Sequence, residues 1–402
     1  MDNLARDYLL IALSIGEIQE GIVDSYYGPP ELRQQAAEGN LGAAALAGRA
    51  AELRARLGDE TDDAQRGLWL DRQLLGLETI ARRLAGDDLP YLVEVERCFD
   101  AAPEATPPGD YARARAELED LLPGDGDLRQ RLAERDRRLT VPADRLAGII
   151  DWVAAQLRTA AAGIWSLPDG EQLAFSVVHD EPWSAYNWYD GNLKSRVEVN
   201  TDLPIRAQHI AGILAHETFP GHHMEHAWKE ARLYREHGYG EASAMLINTP
   251  ESYISEGLAE VGAWLLNDET RWQELLLGVC ERAGIDLTAD DAQREWRTAT
   301  ALHRLRGAGG DAALQLHVAR RPREDVVRFL EQDALSTHEH ALKSLEFIEH
   351  PLWRTYVFCY AGGERLLAPW VEAAGDESAQ QARFFRLLTE QIAPSGIAAE
   401  SA

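Results

Sequence analysis

The run Ile205-Arg206-Ala207-Gln208-His209-Ile210-Ala211-Gly212-Ile213-Leu214-Ala215-His216-Glu217-Thr218-Phe219-Pro220-Gly221-His222-His223 decides how the rest of the chain is read. Ile205, Ile210, Ile213 and Leu214 recur at the spacing of a helical face, so an apolar helix leads into His216-Glu217. Pro220 then removes a backbone donor and Gly221 admits dihedrals that other residues avoid, which interrupts the helix. On an unbroken helix Pro220 would hold position i+4 from His216. His222 would point roughly 120° away, and His223 would return to within roughly 20° but about 10 Å along the axis. Neither could share a small ion with His216. A two-residue bulge at Pro220-Gly221 carries His222 to the place of i+4, with His223 as the alternative.

The chemistry follows from that geometry. In a His-Glu-x-x-His helix, two histidines one turn apart bind one metal and the intervening glutamate acts on the metal's water. Here His216 and His222 are the expected histidine ligands of one Zn²⁺ per chain, and Glu217 is the expected general base. A catalytic zinc takes a third protein ligand, and Glu251, Glu256 and Glu260 compete for that role some 35 residues downstream. Glu256 is preferred. Glu260 lies one turn beyond it on the same helical face, where it can orient a histidine from behind. Tyr360 is the first choice of donor to the developing oxyanion, with Tyr356 and Tyr253 behind it and Arg354 as a clamp for a substrate carboxylate. His226 is expected to be solvated or to stand behind a ligand. His209 and His237 read as surface residues, and His338-Glu339-His340 reads as a solvated face.

Outward from this run, most of the chain is helical by periodicity. Helices are predicted over 41–58, 63–85, 110–121, 126–138 and 142–165, after an opening helix that ends near Tyr27-Gly28-Pro29-Pro30. The prolines of 101–109 make that stretch a loop. Beyond the motif, helices are predicted over 222–237, 252–266, 270–284, 288–307, 309–319, 323–332, 335–348 and 351–373, with the last dozen residues frayed. One region differs: Leu173–Val178 and Ser195–Asn200 are short and β-branched, with an aromatic-rich segment from Trp183 to Gly191 between them. They predict a β-hairpin or small sheet just before the metal motif, with Trp183 to Tyr189 as a wall that faces substrate or caps the core. The fold expected is mainly α, one large multi-helical domain over 1–402. Residues 1–145 form a semi-separate N-terminal lobe and 146–402 the catalytic part.

Composition narrows the partners. With 40 Lys and Arg against 67 Asp and Glu, the net charge of -27 repels phosphate backbones and anionic membranes, so nucleic-acid and membrane binding are not expected. Three cysteines without a Cys-x-x-Cys pair give neither a disulfide framework nor a thiolate metal site. No basic start with a long apolar run and no 18-residue apolar stretch is present, so a cytoplasmic location is expected.

The motifs also carry a resemblance. The chain resembles the bacterial domain-of-unknown-function family numbered 885 in Tyr26-Tyr27-Gly28-Pro29-Pro30, His216-Glu217-x-x-Pro220-Gly221-His222-His223, Ser255-Glu256-Gly257-Leu258-Ala259-Glu260 and Tyr360-Ala361-Gly362. The Glu256-Gly-Leu-Ala-Glu stretch is similar to the one that supplies the glutamate ligand in aminopeptidase-type gluzincins. Where the family reads Arg-x-x-x-Asn-Ala-Ala-Leu-x-Leu-His, this chain has Arg306-Gly-Ala-Gly-Gly-Asp311-Ala-Ala-Leu-Gln-Leu-His317, a departure at Gly-Gly-Asp. The family is similar in helical architecture to carboxypeptidase Taq-type zinc metallopeptidases, which implies a helical body with a central metal-binding cleft. The function expected is a zinc-dependent hydrolase acting on a peptide or amide. Two other classes compete: an inactive metal- or peptide-binding protein of the same fold, and a di-metal carboxylate oxidase. The latter needs Glu-x-x-His pairs, and the chain has none.

Overall fold

The computed structural model describes residues 1–401 except 108, 181, 182, 184 and 203. The fold is mainly α, with a small sheet, as expected. Two large apolar cores organise it. One joins Leu4–Phe99 to residues from Ala244 to Cys359, including Tyr8, Leu74, Tyr253 and Tyr356. The other is built from 139–165 with Leu214, Phe219, Leu258, Trp272 and Phe384. The helix Pro250–Leu266 serves both, through Tyr253 on one side and Ile254 and Leu258 on the other. Pro250 occupies its first turn, where the missing N–H costs nothing. Every residue from Pro250 to Ala259 is buried, so this is the central helix rather than an amphipathic surface one.

Helices Ala43–Glu60, Ala64–Leu84, Asp110–Leu121, Leu128–Arg138 and Ala143–Trp165 fall where periodicity puts them. Five segments correct the sequence reading. The opening helix ends at Ile18, and Val23–Tyr26 is a strand, β1. Helices Pro30–Gly39, Tyr91–Phe99 and Glu377–Thr389 occupy stretches for which the periodicity predicts no element. The C-terminal residues are not frayed: Pro394–Ser401 is helical and Ile397 is fully buried in the second core.

Of the hairpin or small sheet predicted before the metal motif, the structure has the small sheet. Strands β2 (Gln172–Val178), β3 (Ala185–Gly191) and β4 (Lys194–Asn200) lie in the order β2-β4-β3. β2 pairs parallel with β4, Phe175 opposite Val197, while β3 and β4 form the antiparallel hairpin. Asn192 and Leu193 turn it, both at positive φ, the geometry that two-residue hairpin loops favour. The aromatic segment is therefore itself a strand; its Ser184 lies outside the described residues. A second sheet pairs β1 antiparallel with β5 (Ala244–Leu246). Among the described residues no helix is long and apolar enough to cross a membrane.

Candidate metal centre

The first ligand helix runs Ala207–Glu217 and the second starts at His222. Between them the backbone ladder is reset by two residues. The Gly221 N–H donates to the Ala215 carbonyl at 3.0 Å and Met224 N–H to the Thr218 carbonyl at 3.1 Å, each an i to i−6 bond in place of i to i−4. This is the bulge that the Pro-Gly pair predicts. Gly221 is required by contact: a Cβ there would lie 1.8 Å from the His216 carbonyl oxygen. Asn187 of β3 donates to the Glu217 carbonyl at 2.7 Å and ties the end of the first helix to the sheet.

The reset brings His216 Nε2 to 3.1 Å from His222 Nε2, and Glu256 Oε2 to 3.3 Å from His216 Nε2. Glu256 Oε1 stands 3.9 Å from His222 Nε2. All three ligand atoms lie within 4.8 Å of one another. Four-coordinate zinc with ligand bonds near 2.0–2.1 Å separates its donors by about 3.3 Å, so the observed set brackets that requirement. Among the described residues Glu256 Oε2 is buried and has no partner but the His216 Nε2 that faces it, so the oxygen is placed to take a cation. Two imidazoles and one carboxylate are a donor set that can hold a divalent metal ion.

Around the three donors the chain supplies the groups that hold them. Glu260 Oε1 lies 3.3 Å from His216 Nδ1 and is paired in turn with Arg306. Burial opposes the Glu260 charge, but His216 and Arg306 outweigh it and hold the carboxyl well below its usual range. Behind His222, Nδ1 meets Ser255 Oγ at 3.2 Å, and Ser255 donates to Glu225 at 2.5 Å. Glu225 is compensated by the buried Lys229 at 2.7 Å. Tyr356 donates to Glu256 Oε1 at 2.6 Å. These arrangements fix the tautomer and aim of each ring, as outer partners do at metal sites.

The other candidates separate cleanly. The Glu217 side chain is half-buried and makes no hydrogen bond or ion pair among the described residues; burial raises its pKa, with His216 and His222 pulling the other way. Tyr360 packs edge-on to Tyr356 with ring centroids 5.7 Å apart, and its hydroxyl feels Glu256, Glu217 and Glu260. His223 is fully buried and turned away, 2.8 Å from Ser195 Oγ and 3.0 Å from Glu171. Glu251 pairs with Lys229 at 3.1 Å. Tyr253 stacks on Phe99, and Arg354 pairs with Glu94 at 3.5 Å over the Tyr91 ring, so neither faces the donors. His226 is not solvated: it is buried, stacked on His222, and burial pushes its pKa down to about 3. His209, His237 and His338–His340 are exposed. Sequence reasoning missed Ser255, Glu225 and Arg306. Glu225, three residues after His222, carried a visible signal; Arg306 stood in the motif that departs from the family pattern without a partner to name.

No family model matches this sequence, and no curated protein matches it. Solved structures do. A candidate lipoprotein of unknown function from Shewanella oneidensis aligns over 98% of this chain and 82% of its own, at 12% identity and a TM-score of 0.54. A candidate lipoprotein from Colwellia psychrerythraea aligns over 88% of this chain at 12% identity and a TM-score of 0.53. This chain spans about 65% of the Colwellia protein's length. A carboxypeptidase from Deinococcus radiodurans aligns over 96% of this chain and 89% of its own at 14% identity, with a TM-score of 0.37, below that of a shared fold. The first two share this chain's fold.

Proposed function

We propose that the chain is a zinc-dependent hydrolase that cleaves a peptide or amide bond, and a member of the bacterial family numbered 885. One observation carries the reading: His216 Nε2 and His222 Nε2 stand 3.1 Å apart, Glu256 Oε2 lies 3.3 Å from the first, and one ligand atom from each of the three residues falls within 4.8 Å of the others. His216, His222 and Glu256 hold one zinc ion per chain. When bound, the ion supplies Lewis acidity and a water acidified toward neutral pH. The Glu217 carboxylate, unpaired among the described residues and desolvated, accepts the proton of the attacking water and returns it to the leaving nitrogen. Tyr360 donates to the carbonyl oxygen as negative charge develops there. Glu260 and the Glu225–Ser255 pair keep both imidazoles in the metal-binding tautomer.

The test pairs metal analysis with one substitution. Protein prepared without chelator is expected to carry about one zinc per chain, and a peptide library followed by mass spectrometry to be cut by it. Glu217→Gln is expected to keep the zinc and lose ~10²–10⁴-fold in rate. Zinc bound with nothing cleaved makes the chain a binding protein. Glu217→Gln as active as the parent puts the chemistry at another site.

A further inference from the structure

The Gly-Gly-Asp departure at 309–311 borders a second cavity. Gly307 and Gly310 line a space of about 390 Å³, closed by residues 100–104, by Tyr253, by the helix Val357–Glu372 and by Pro394, Ser395 and Ala398. Asp311 fixes the loop over it, accepting from the Thr106 N–H at 3.1 Å and from the Tyr111 hydroxyl. None of His216, Glu217, His222, Glu256 and Tyr360 lines this cavity, so it is separate from the metal centre. Its volume lies within the ~300–1,000 Å³ of small-molecule sites. The wall is mostly apolar, with Val95, Pro103, Val357, Phe358 and Leu366, and three polar groups are set into it. Tyr253 is 6% exposed, and its hydroxyl has no hydrogen-bond partner among the described residues. Ser395 Oγ is buried and equally unpartnered there. Arg365 donates to the Glu104 carbonyl and the Thr106 hydroxyl, each at 3.2 Å, and pairs with no carboxylate among the described residues. The two acids on the wall do not fill that role. Asp100 is taken by Arg72 at 3.3 Å and by the Ser395 N–H at 2.8 Å, and the Glu104 side chain is exposed. Glycines set the two donors close together: a Cβ on Gly362, one turn before Arg365, would collide with the Tyr253 hydroxyl, and one on Gly307 would stand 2.6 Å from Arg365 Nη2. A guanidinium without an anion and a buried hydroxyl without a partner, in an apolar cavity, are completed by a carboxylate on an apolar body.

We infer that this cavity binds a small free monocarboxylate, its apolar body against Val357, Phe358 and Leu366 and its carboxylate accepting hydrogen bonds from Arg365 and Tyr253. The site does not depend on the metal-hydrolase reading. Calorimetry on the full chain tests it with octanoate and 3-phenylpropionate, each compared with its own primary amide. A bound metal can itself take a carboxylate, so zinc-loaded and chelator-treated protein are both titrated. At least one acid is expected to bind tenfold or more tighter than its amide in both preparations, and the stronger of the two tells an acyl chain from an aromatic body. Arg365→Met is expected to erase that preference while the amide binds as before, which also reports an intact cavity. Tyr253→Phe, which keeps the ring and its stacking on Phe99, is expected to weaken the acid at least threefold. The site is overturned by equal binding of acid and amide, by a preference present only with zinc, or by one that survives Arg365→Met. Unchanged acid binding in Tyr253→Phe overturns it as well, and that variant decides the matter if Arg365→Met does not fold.

Discussion

His222 and His223 are adjacent, of one type, and engaged in opposite tasks because the i to i−6 reset at Pro220-Gly221 fixes which ring faces His216. His223 instead joins the sheet to the second ligand helix through Ser195 and Glu171. His223→Ala is therefore expected to keep zinc while destabilising the fold by about 1–3 kcal/mol, since buried polar partners are left unpaired. His222→Ala is expected to lose zinc. Zinc titration and urea unfolding of the two variants read the contrast, and the reverse order would move the ligand to position 223. The convergence of His216, His222 and Glu256 was legible in the sequence because each member is announced locally, by the Pro-Gly interruption or by the Glu-Gly-Leu-Ala-Glu stretch. Ser255, Glu225 and Arg306 were not, because their meaning depends on what the fold sets opposite them. Arg306 becomes part of the site only once Glu260 is beside it.

The helices that carry the site meet through glycine. A Cβ on Gly257 would stand 2.5 Å from the Gly363 carbonyl carbon, and one on Gly363 would stand 2.5 Å from the Tyr253 carbonyl oxygen. Backbone faces backbone there, so neither position can relax by rotating a side chain. That close approach of Pro250–Leu266 to Val357–Glu372 is what lets Tyr356 reach Glu256. Gly257→Ala is expected to cost about 1–3 kcal/mol and to weaken zinc as the tyrosine withdraws. Tyr356→Phe, which removes the hydroxyl and leaves the packing, separates the two effects: it is expected to be nearly as stable as the parent but weaker for zinc by about 10- to 100-fold. Zinc affinity unchanged in both variants would mean that Glu256 is held by its own helix alone. At this scale the long periodic helices were legible, since their apolar spacing repeats over many turns. Val23–Tyr26 was not: a four-residue strand announces little, and its partner Ala244–Leu246 lies more than 200 residues away. The parallel pairing of β2 with β4 was hidden for the same reason, because strand order is a property of the chain's return and not of either strand's composition. Helix Pro394–Ser401, short and rich in small residues, is held by the burial of Ile397 rather than by its own propensity.

Over the whole molecule the metal should act as a clasp between the two cores. His216 sits on a helix packed into the second core, whereas Tyr356, which bonds Glu256, belongs to the first. Glu256 itself stands on the helix that both cores share. Near it the Glu217 and Glu260 carboxylates gather part of the chain's net charge of -27, and a bound divalent cation relieves part of that repulsion. A ligand that binds only the folded state stabilises it by about 4 kcal/mol at a thousandfold excess over its Kd. Chelator-treated protein given such an excess of zinc is expected to unfold at a higher temperature in one cooperative transition. Calorimetry and tryptophan fluorescence should agree, because Trp69 reports on the first core and Trp165, Trp272 and Trp370 on the second. Glu256→Gln is expected to lose most of the zinc-dependent rise while unfolding near the temperature of the metal-free parent. Two transitions of which zinc moves only one would confine the metal's grip to a single core, and the continuous 1–402 unit would give way to two lobes that unfold separately.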